Sequence, residues 1–201
     1  MKRLITLAIF LLLFFTAFPQ TALEFFKKGV DNLNKSLFEE AIKDFTKSIG
    51  LDSSNEITYY NRAYAKNELK DYTGAIDDFT KAIRLKPDFE NAYFNRADAK
   101  RKLRDYTGAI QDFSKVIQLN PNSADAYNNR GLAKSKLKDY VGALPDYAKA
   151  IELKPDNAFA YANRGFARLE LKDTIGACSD FTKAKQFGIK YGDRYLEQYC
   201  H

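Results

Sequence analysis

Apolar residues recur along this chain with two nested periods. The shorter is helical. Ala75, Ile76, Phe79, Ala82 and Ile83 take one face of a helix, while Asp77, Asp78, Lys81 and Arg84 take the other. The longer is 34 residues. The stretch Tyr59 to Pro87 returns with local edits at Tyr93 to Pro121 and at Tyr127 to Pro155. Its steadiest column is alanine (Ala41, Ala75, Ala109, Ala143, Ala177), followed four residues later by an aromatic (Phe45, Phe79, Phe113, Tyr147, Phe181). A fixed period of this size marks a solenoid, in which each unit buries its apolar face only against its neighbours.

Within one period the pattern predicts two helices. The first runs from about Ile57 to Leu69 and ends at Lys70-Asp71; Tyr72-Thr73-Gly74 reads as the turn, and Pro87 closes the second helix. The expected fold is all-α, with five helical hairpins in series at residues 22–55, 56–89, 90–123, 124–157 and 158–191. Residues 192–201 form a C-terminal capping helix with Tyr195, Leu196 and Tyr199 over the last hairpin. Repeat 1 departs from the pattern at Ser53 and Lys27-Lys28, as a terminal repeat with one wet face must. In repeat 4, Pro145 falls early in the second helix. With Val141 as its cap residue, the proline lies in or just beyond the first turn and distorts the helix without breaking it.

These residues resemble the tetratricopeptide repeat (TPR), in which an aromatic and a small residue on the first helix combine with alanine, an aromatic and a terminal proline on the second. Here they are Tyr59, Ala63, Ala75, Phe79 and Pro87, and in repeat 4 Tyr127, Gly131, Ala143, Tyr147 and Pro155. The likeness, which includes exported bacterial members, implies an α-α superhelix. Small residues would sit where helices approach, large rings would fill the gaps between hairpins, and the Tyr59, Tyr93, Tyr127, Tyr161 column would be core.

The chain begins differently. Met1-Lys2-Arg3 precedes fifteen uncharged, almost wholly apolar residues, Leu4 to Phe18, and then Pro19-Gln20-Thr21-Ala22. This reads as a signal peptide over residues 1–21, cut between Phe18 and Ala22. As a helix the run would span about 22 Å, short of a bilayer core, so a retained membrane anchor is the weaker alternative. The expected location is the periplasm or the exterior. Loss of Lys2 and Arg3 leaves 30 basic and 26 acidic residues, net +4. Because the charges are interleaved, they describe a solvated helix surface and not a nucleic-acid stripe.

Two polar columns recur beside the apolar ones. Arg62, Arg96, Arg130 and Arg164, with Lys28 in repeat 1, keep step with Asp44, Asp78, Asp112, Asp146 and Asp180. We expect a ladder of ion pairs built on the two-pronged guanidinium. Asn61, Asn95, Asn129 and Asn163 precede the arginines. In similar repeats this position faces the concave side, where an amide can both donate to and accept from an extended peptide, although local hydrogen bonding is also common there. The same resemblance places Tyr60, Phe94 and Asn128 on one concave row, Tyr64, Asp98, Leu132 and Phe166 on the next, and Arg101, Lys102 and Lys136 near the helix ends. Such a groove suits a protein segment with apolar and acidic residues. It lacks the carboxylate clamp of chaperone-binding relatives: Asn61 matches, but Phe26, Val30, Asn91 and Asn95 fill the other four places.

Two cysteines, Cys178 and Cys200, remain. In an exported chain an even count points to a disulfide tying the cap to repeat 5; the alternative is a small buried hydrophobe and a terminal thiol. His201 is the only histidine, so no nucleophile-base pair can be assembled around it, and the cysteines with His201 make a poor metal set. The sequence calls for no catalysis, cofactor or metal. It leaves two roles open, a peptide-binding scaffold and a self-associating envelope module that uses its convex face or ends.

Overall fold

The structure is a computed structural model that describes residues 21–189 and 192–200. The apolar run Leu4–Phe18 and His201 lie outside the described residues. Among the described residues eleven α-helices follow one another: α1 Ala22–Asn34, α2 Phe38–Leu51, α3 Glu56–Glu68, α4 Tyr72–Leu85, α5 Glu90–Lys102, α6 Tyr106–Leu119, α7 Ala124–Lys136, α8 Tyr140–Leu153, α9 Ala158–Glu170, α10 Thr174–Gln186 and α11 Gly192–Tyr199. No strand occurs among the described residues. Helices α1 to α10 pair as five antiparallel hairpins, each packed on the next, and α11 caps the fifth. The odd-numbered helices form the inner layer: α1 reaches α3, α3 reaches α5 and α7 reaches α9 across the hairpin junctions.

The core of each hairpin is a ring against a helix with little side chain. Phe45, Phe79, Phe113, Tyr147 and Phe181 are all fully buried. A Cβ built on Gly29 would come within 2.6 Å of the Phe45 ring, and one on Gly131 within 2.8 Å of Tyr147. The rings therefore fill the space inside a hairpin, where the sequence had suggested the gaps between hairpins. The tyrosine column is also less interior than expected. Tyr59 is buried, whereas Tyr93, Tyr127 and Tyr161 are half-buried, each roofed by an arginine of its own helix.

The hairpin turn differs from expectation as well. Tyr72-Thr73-Gly74 is the first turn of α4, and the connection is made one step earlier. Lys70 takes φ 64, its N–H donates to the Asn67 carbonyl at 3.0 Å, and the Asp71 N–H donates to the Lys66 carbonyl at 2.9 Å. This left-handed closure satisfies the last carbonyls of α3. Asp71 then caps α4, accepting from the Gly74 N–H at 3.0 Å. Asp105, Asp139 and Asp173 repeat the device, and Ser36, Arg104, Lys138 and Lys172 share the positive φ. The cap of α8 is thus Asp139 and not Val141. Pro145 sits in the second turn, where it forfeits the bond to the Val141 carbonyl, yet the helix runs unbroken to Leu153.

Candidate functional site: the polar seam and the inner groove

In repeats 2 to 5 the first helix presents an arginine towards its own second helix. Arg62 holds Asp78 with two prongs, Nε to Oδ2 at 2.8 Å and Nη2 to Oδ1 at 2.6 Å. Arg96 with Asp112, Arg130 with Asp146 and Arg164 with Asp180 have the same geometry. The aspartates are buried, although amphipathic patterning had put Asp78 on the polar face. A second cation serves each carboxylate, Lys66 at 2.7 Å, Lys100 at 2.8 Å, Lys134 at 2.8 Å and Arg168 at 2.9 Å. The third prong leaves the repeat. Arg62 Nη1 donates to Thr46, Arg96 Nη1 to Thr80 and Arg130 Nη1 to Ser114, a hydroxyl of the preceding hairpin in every case. The guanidinium also stacks over the tyrosine three residues earlier, 5.4 Å from the Tyr93 centroid for Arg96. One arginine thereby joins a first helix, its partner and the previous repeat. Repeat 1 keeps a reduced version, with Asn32 at 2.8 Å and the exposed Lys28 at 3.7 Å from Asp44.

On the inner face the asparagines do structural work. Asn95 Nδ2 donates to the Tyr60 hydroxyl at 2.9 Å, and Asn163 Nδ2 to Asn128 Oδ1 at 3.0 Å, both reaching the preceding first helix. Asn129 faces Phe94 at the corresponding place, which offers no acceptor, and donates instead to the Asp125 carbonyl of its own helix at 2.9 Å. Asn61 is half-buried. The inner rings lie on the core rings: Tyr60 on Phe79 at 5.7 Å, Phe94 edge-on to Phe113 at 5.4 Å and Phe166 edge-on to Phe181 at 5.1 Å. Tyr64 stands further out, 40 % exposed. Arg101, expected as a groove cation, is held by Asp98, which Lys102 also approaches at 3.5 Å. Lys136 is exposed and forms no ion pair among the described residues.

The structure gathers four of the expected groove residues, Leu132, Lys136, Asn163 and Phe166, around one cavity of about 330 Å³ between repeats 4 and 5. Sequence reading missed its other walls, Ser135, Tyr140, Tyr147, Ala167 and Glu170. Two of these were signalled by departures from their columns, Tyr147 among phenylalanines and Ser135 where repeat 3 has Arg101. The departures are matched, because the Tyr147 hydroxyl and Ser135 Oγ lie 2.9 Å apart. Burial pushes the Tyr147 phenol up to about 12. The structure brings Cys178 and Cys200 to disulfide distance, Cα–Cα 5.7 Å, where the end of α11 meets α10. In the cap Leu196 is half-buried and Tyr199 exposed; the Tyr195 side chain lies outside the described residues. No group of three metal-ligating side chains occurs among the described residues.

Tetratricopeptide repeat profiles match residues 57–89 and 124–157, and a further TPR repeat profile matches 97–138. The chain is a tetratricopeptide-repeat protein. Solved structures share the TPR fold. MamA 41-end from Desulfovibrio magneticus RS-1 superposes with a TM-score of 0.80 at 23 % identity, over 85 % of this chain and 97 % of that one. YrrB, described as a TPR protein with an unusual peptide-binding site, gives 0.79 at 21 % identity, over 88 % and 92 %. The first TPR of Spaghetti (RPAP3), bound to the HSP90 peptide SRMEEVD, gives 0.57 at 30 % identity, over 59 % and 94 %. No curated protein sequence matches the chain. Where the chaperone-binding clamp would stand, this TPR array has Phe26 and Val30 packed on the repeat 1 core.

Proposed function

We propose that this TPR array is an exported scaffold that holds an extended segment of a partner protein along the inner face of α3, α5, α7 and α9. The observation that carries the reading is the convergence of Leu132, Lys136, Asn163 and Phe166 on a single cavity of that face. Peptide binding by YrrB and by the first TPR of Spaghetti supports it at the level of the fold. Asn95 and Asn163 have a double role: each spends an N–H on holding successive first helices, and a backbone can still approach its carbonyl. Export rests on Lys2-Arg3 and the apolar run Leu4–Phe18, and the Cys178–Cys200 bridge fits an oxidising compartment. The array acts by binding, without a reaction of its own.

Capture from envelope extract tests the groove. With Asn95→Ala and Asn129→Ala together, partners captured by the unaltered chain are lost; unchanged capture rejects the inner face as the binding surface. Intact-mass measurement on chain recovered from the envelope tests export, with the expected start between Pro19 and Ala22. A self-associating role has one observation in its favour, the aliphatic edge of Val141, 69 % exposed, and Ile175, 88 % exposed, at the turns of repeats 4 and 5. If it holds, sedimentation shows an oligomer that Val141→Ser with Ile175→Ser converts to a monomer.

A further inference from the structure

Resting on the groove reading, we propose that the cavity between repeats 4 and 5 anchors the bound segment by taking a phenylalanine or leucine side chain, with an acidic residue beside it over α7.

The equivalent rows are filled differently at the preceding junctions. Between repeats 2 and 3 the same rows carry Tyr64 and Asn67, and the Lys102 ammonium reaches over the Tyr72 ring, 5.3 Å from its centroid. Between repeats 3 and 4 they carry Asp98 and Arg101, which pair with each other. Between repeats 4 and 5 the rows carry Leu132, which is apolar, and Ser135, which is short and turned to the Tyr147 hydroxyl. The charged pair of the preceding junction has no counterpart, and a cavity of about 330 Å³ remains.

The chemistry of the walls selects the occupant. Leu132, Phe166, Ala167 and the rings of Tyr140 and Tyr147 are apolar. Two of the polar groups between them are already engaged: the Tyr147 hydroxyl with Ser135 Oγ, and Asn163 Nδ2 with Asn128 Oδ1. A polar side chain entering here would lose water and find the Tyr147–Ser135 pair already closed, whereas an apolar one gains burial without leaving a hydrogen bond unmade. The rims differ in sign. Lys136 on α7 has no ion-pair partner among the described residues, and Glu170 occupies the same column on α9. A carboxylate next to the anchor is therefore drawn to the α7 side and repelled from the α9 side, which fixes the direction of the segment.

Selection of random nonapeptides displayed on phage against the full chain supplies the probe. Fluorescence anisotropy of the synthesised winners then measures binding to the unaltered chain, to Leu132→Asp, to Lys136→Glu and to Asn95→Ala with Asn129→Ala. The expected winners share Phe or Leu next to Asp or Glu. They lose about tenfold or more in affinity on Leu132→Asp, as a charge at an apolar anchor requires. They weaken by about fivefold on Lys136→Glu, and recover when their acid is changed to lysine. Asp98 already occupies the Leu132 row in repeat 3, so the row accepts aspartate; Lys136→Glu, at an exposed position, tests the proposal even if Leu132→Asp unfolds. Winners that ignore both substitutions but weaken on the asparagine pair overturn the anchor and leave the groove standing. Winners indifferent to all three, or a selection that enriches nothing, remove both.

Discussion

On one flank of the first helices, Arg62, Arg96, Arg130 and Arg164 repeat the same two-pronged grip on a buried aspartate. On the other flank the corresponding row reads Tyr64, Asp98, Leu132 and Phe166, with no two repeats alike. Both flanks belong to the same helices and experience the same stacking, so helix formation does not explain the contrast. The seam must close in every repeat, because each carboxylate is buried and would be left uncompensated otherwise. The groove row faces the space between repeats, where each residue can be chosen for what enters. Uniform columns carry the scaffold; on the proposed function, varied ones carry discrimination.

The sharpest test of that contrast places one aspartate from each flank side by side. Asp112 has a side chain only 5 % exposed and holds both Arg96 and Lys100. Removing it by Asp112→Ala strands two cations in the seam, a loss of about 3–5 kcal/mol in urea unfolding. Asp98 is 27 % exposed and binds Arg101 and Lys102 at the groove. Asp98→Ala should cost about 1 kcal/mol or less. Equal losses would erase the distinction. The C-terminal tether comes next. Cys200→Ser opens a loop with a sequence separation of 22 and should lower stability by about 3 kcal/mol, read as the shift that dithiothreitol produces in the unaltered chain and fails to produce in the variant.

Tyr147 lies between the flanks, a core ring that also walls the cavity. Its phenol ionises near 10.0 in the unfolded chain and near 12 in the folded one. Its neutral form thus contributes stability that is whole below pH 10 and is lost as pH rises towards 12, at about 1.4 kcal/mol per pH unit. Tyr147→Phe adopts the residue of the other repeats and removes this dependence. The difference in unfolding free energy between the two chains should change by roughly 2 kcal/mol from pH 9.5 to 12. A constant difference would show the phenol to be wetter than its fully buried position implies.

The five hairpins were legible because a 34-residue period repeats every packing decision several times over. The Arg and Asp columns were legible for the same reason. The turns were misplaced although their signal was present: Asp71, Asp105, Asp139 and Asp173 each stand three residues before a glycine, the spacing of a side-chain cap on the second helix. Repetition also misled. Because Tyr59, Tyr93, Tyr127 and Tyr161 recur, all four looked like core; Tyr59 is, while the half-buried Tyr93, Tyr127 and Tyr161 serve as floors for the arginines. The cavity was hardest to foresee, since it arises from side chains that stop short. Whether the space beside Ser135 fills depends on Leu132, Tyr140 and Phe166, which only the stacking of α7, α8 and α9 brings together.

The smallest effect probes how the seam reaches across repeats. Arg96 and Arg130 each send Nη1 to a hydroxyl of the preceding hairpin, Thr80 at 2.9 Å and Ser114 at 3.1 Å. Arg164 meets Ala148 at the corresponding position, while Arg168 Nη1 reaches the Gly176 carbonyl at 3.0 Å and Asp180 at 2.9 Å, much as Lys134 reaches the Gly142 carbonyl and Asp146. The structure thus contains a natural version of the deletion. Ser114→Ala gives the repeat 3–4 junction the arrangement found between repeats 4 and 5, but without an arginine in the Arg168 place, which Lys134 fills. The expected loss is about 1 kcal/mol, the worth of one hydrogen bond to a charged donor at a half-buried site. Amide exchange should locate the loss at that junction, with faster exchange in α6 and α7 and unchanged exchange in α9 and α10. Loss spread evenly over all five hairpins would mean that the seam couples the array as a whole, and that its hydroxyls do not act junction by junction.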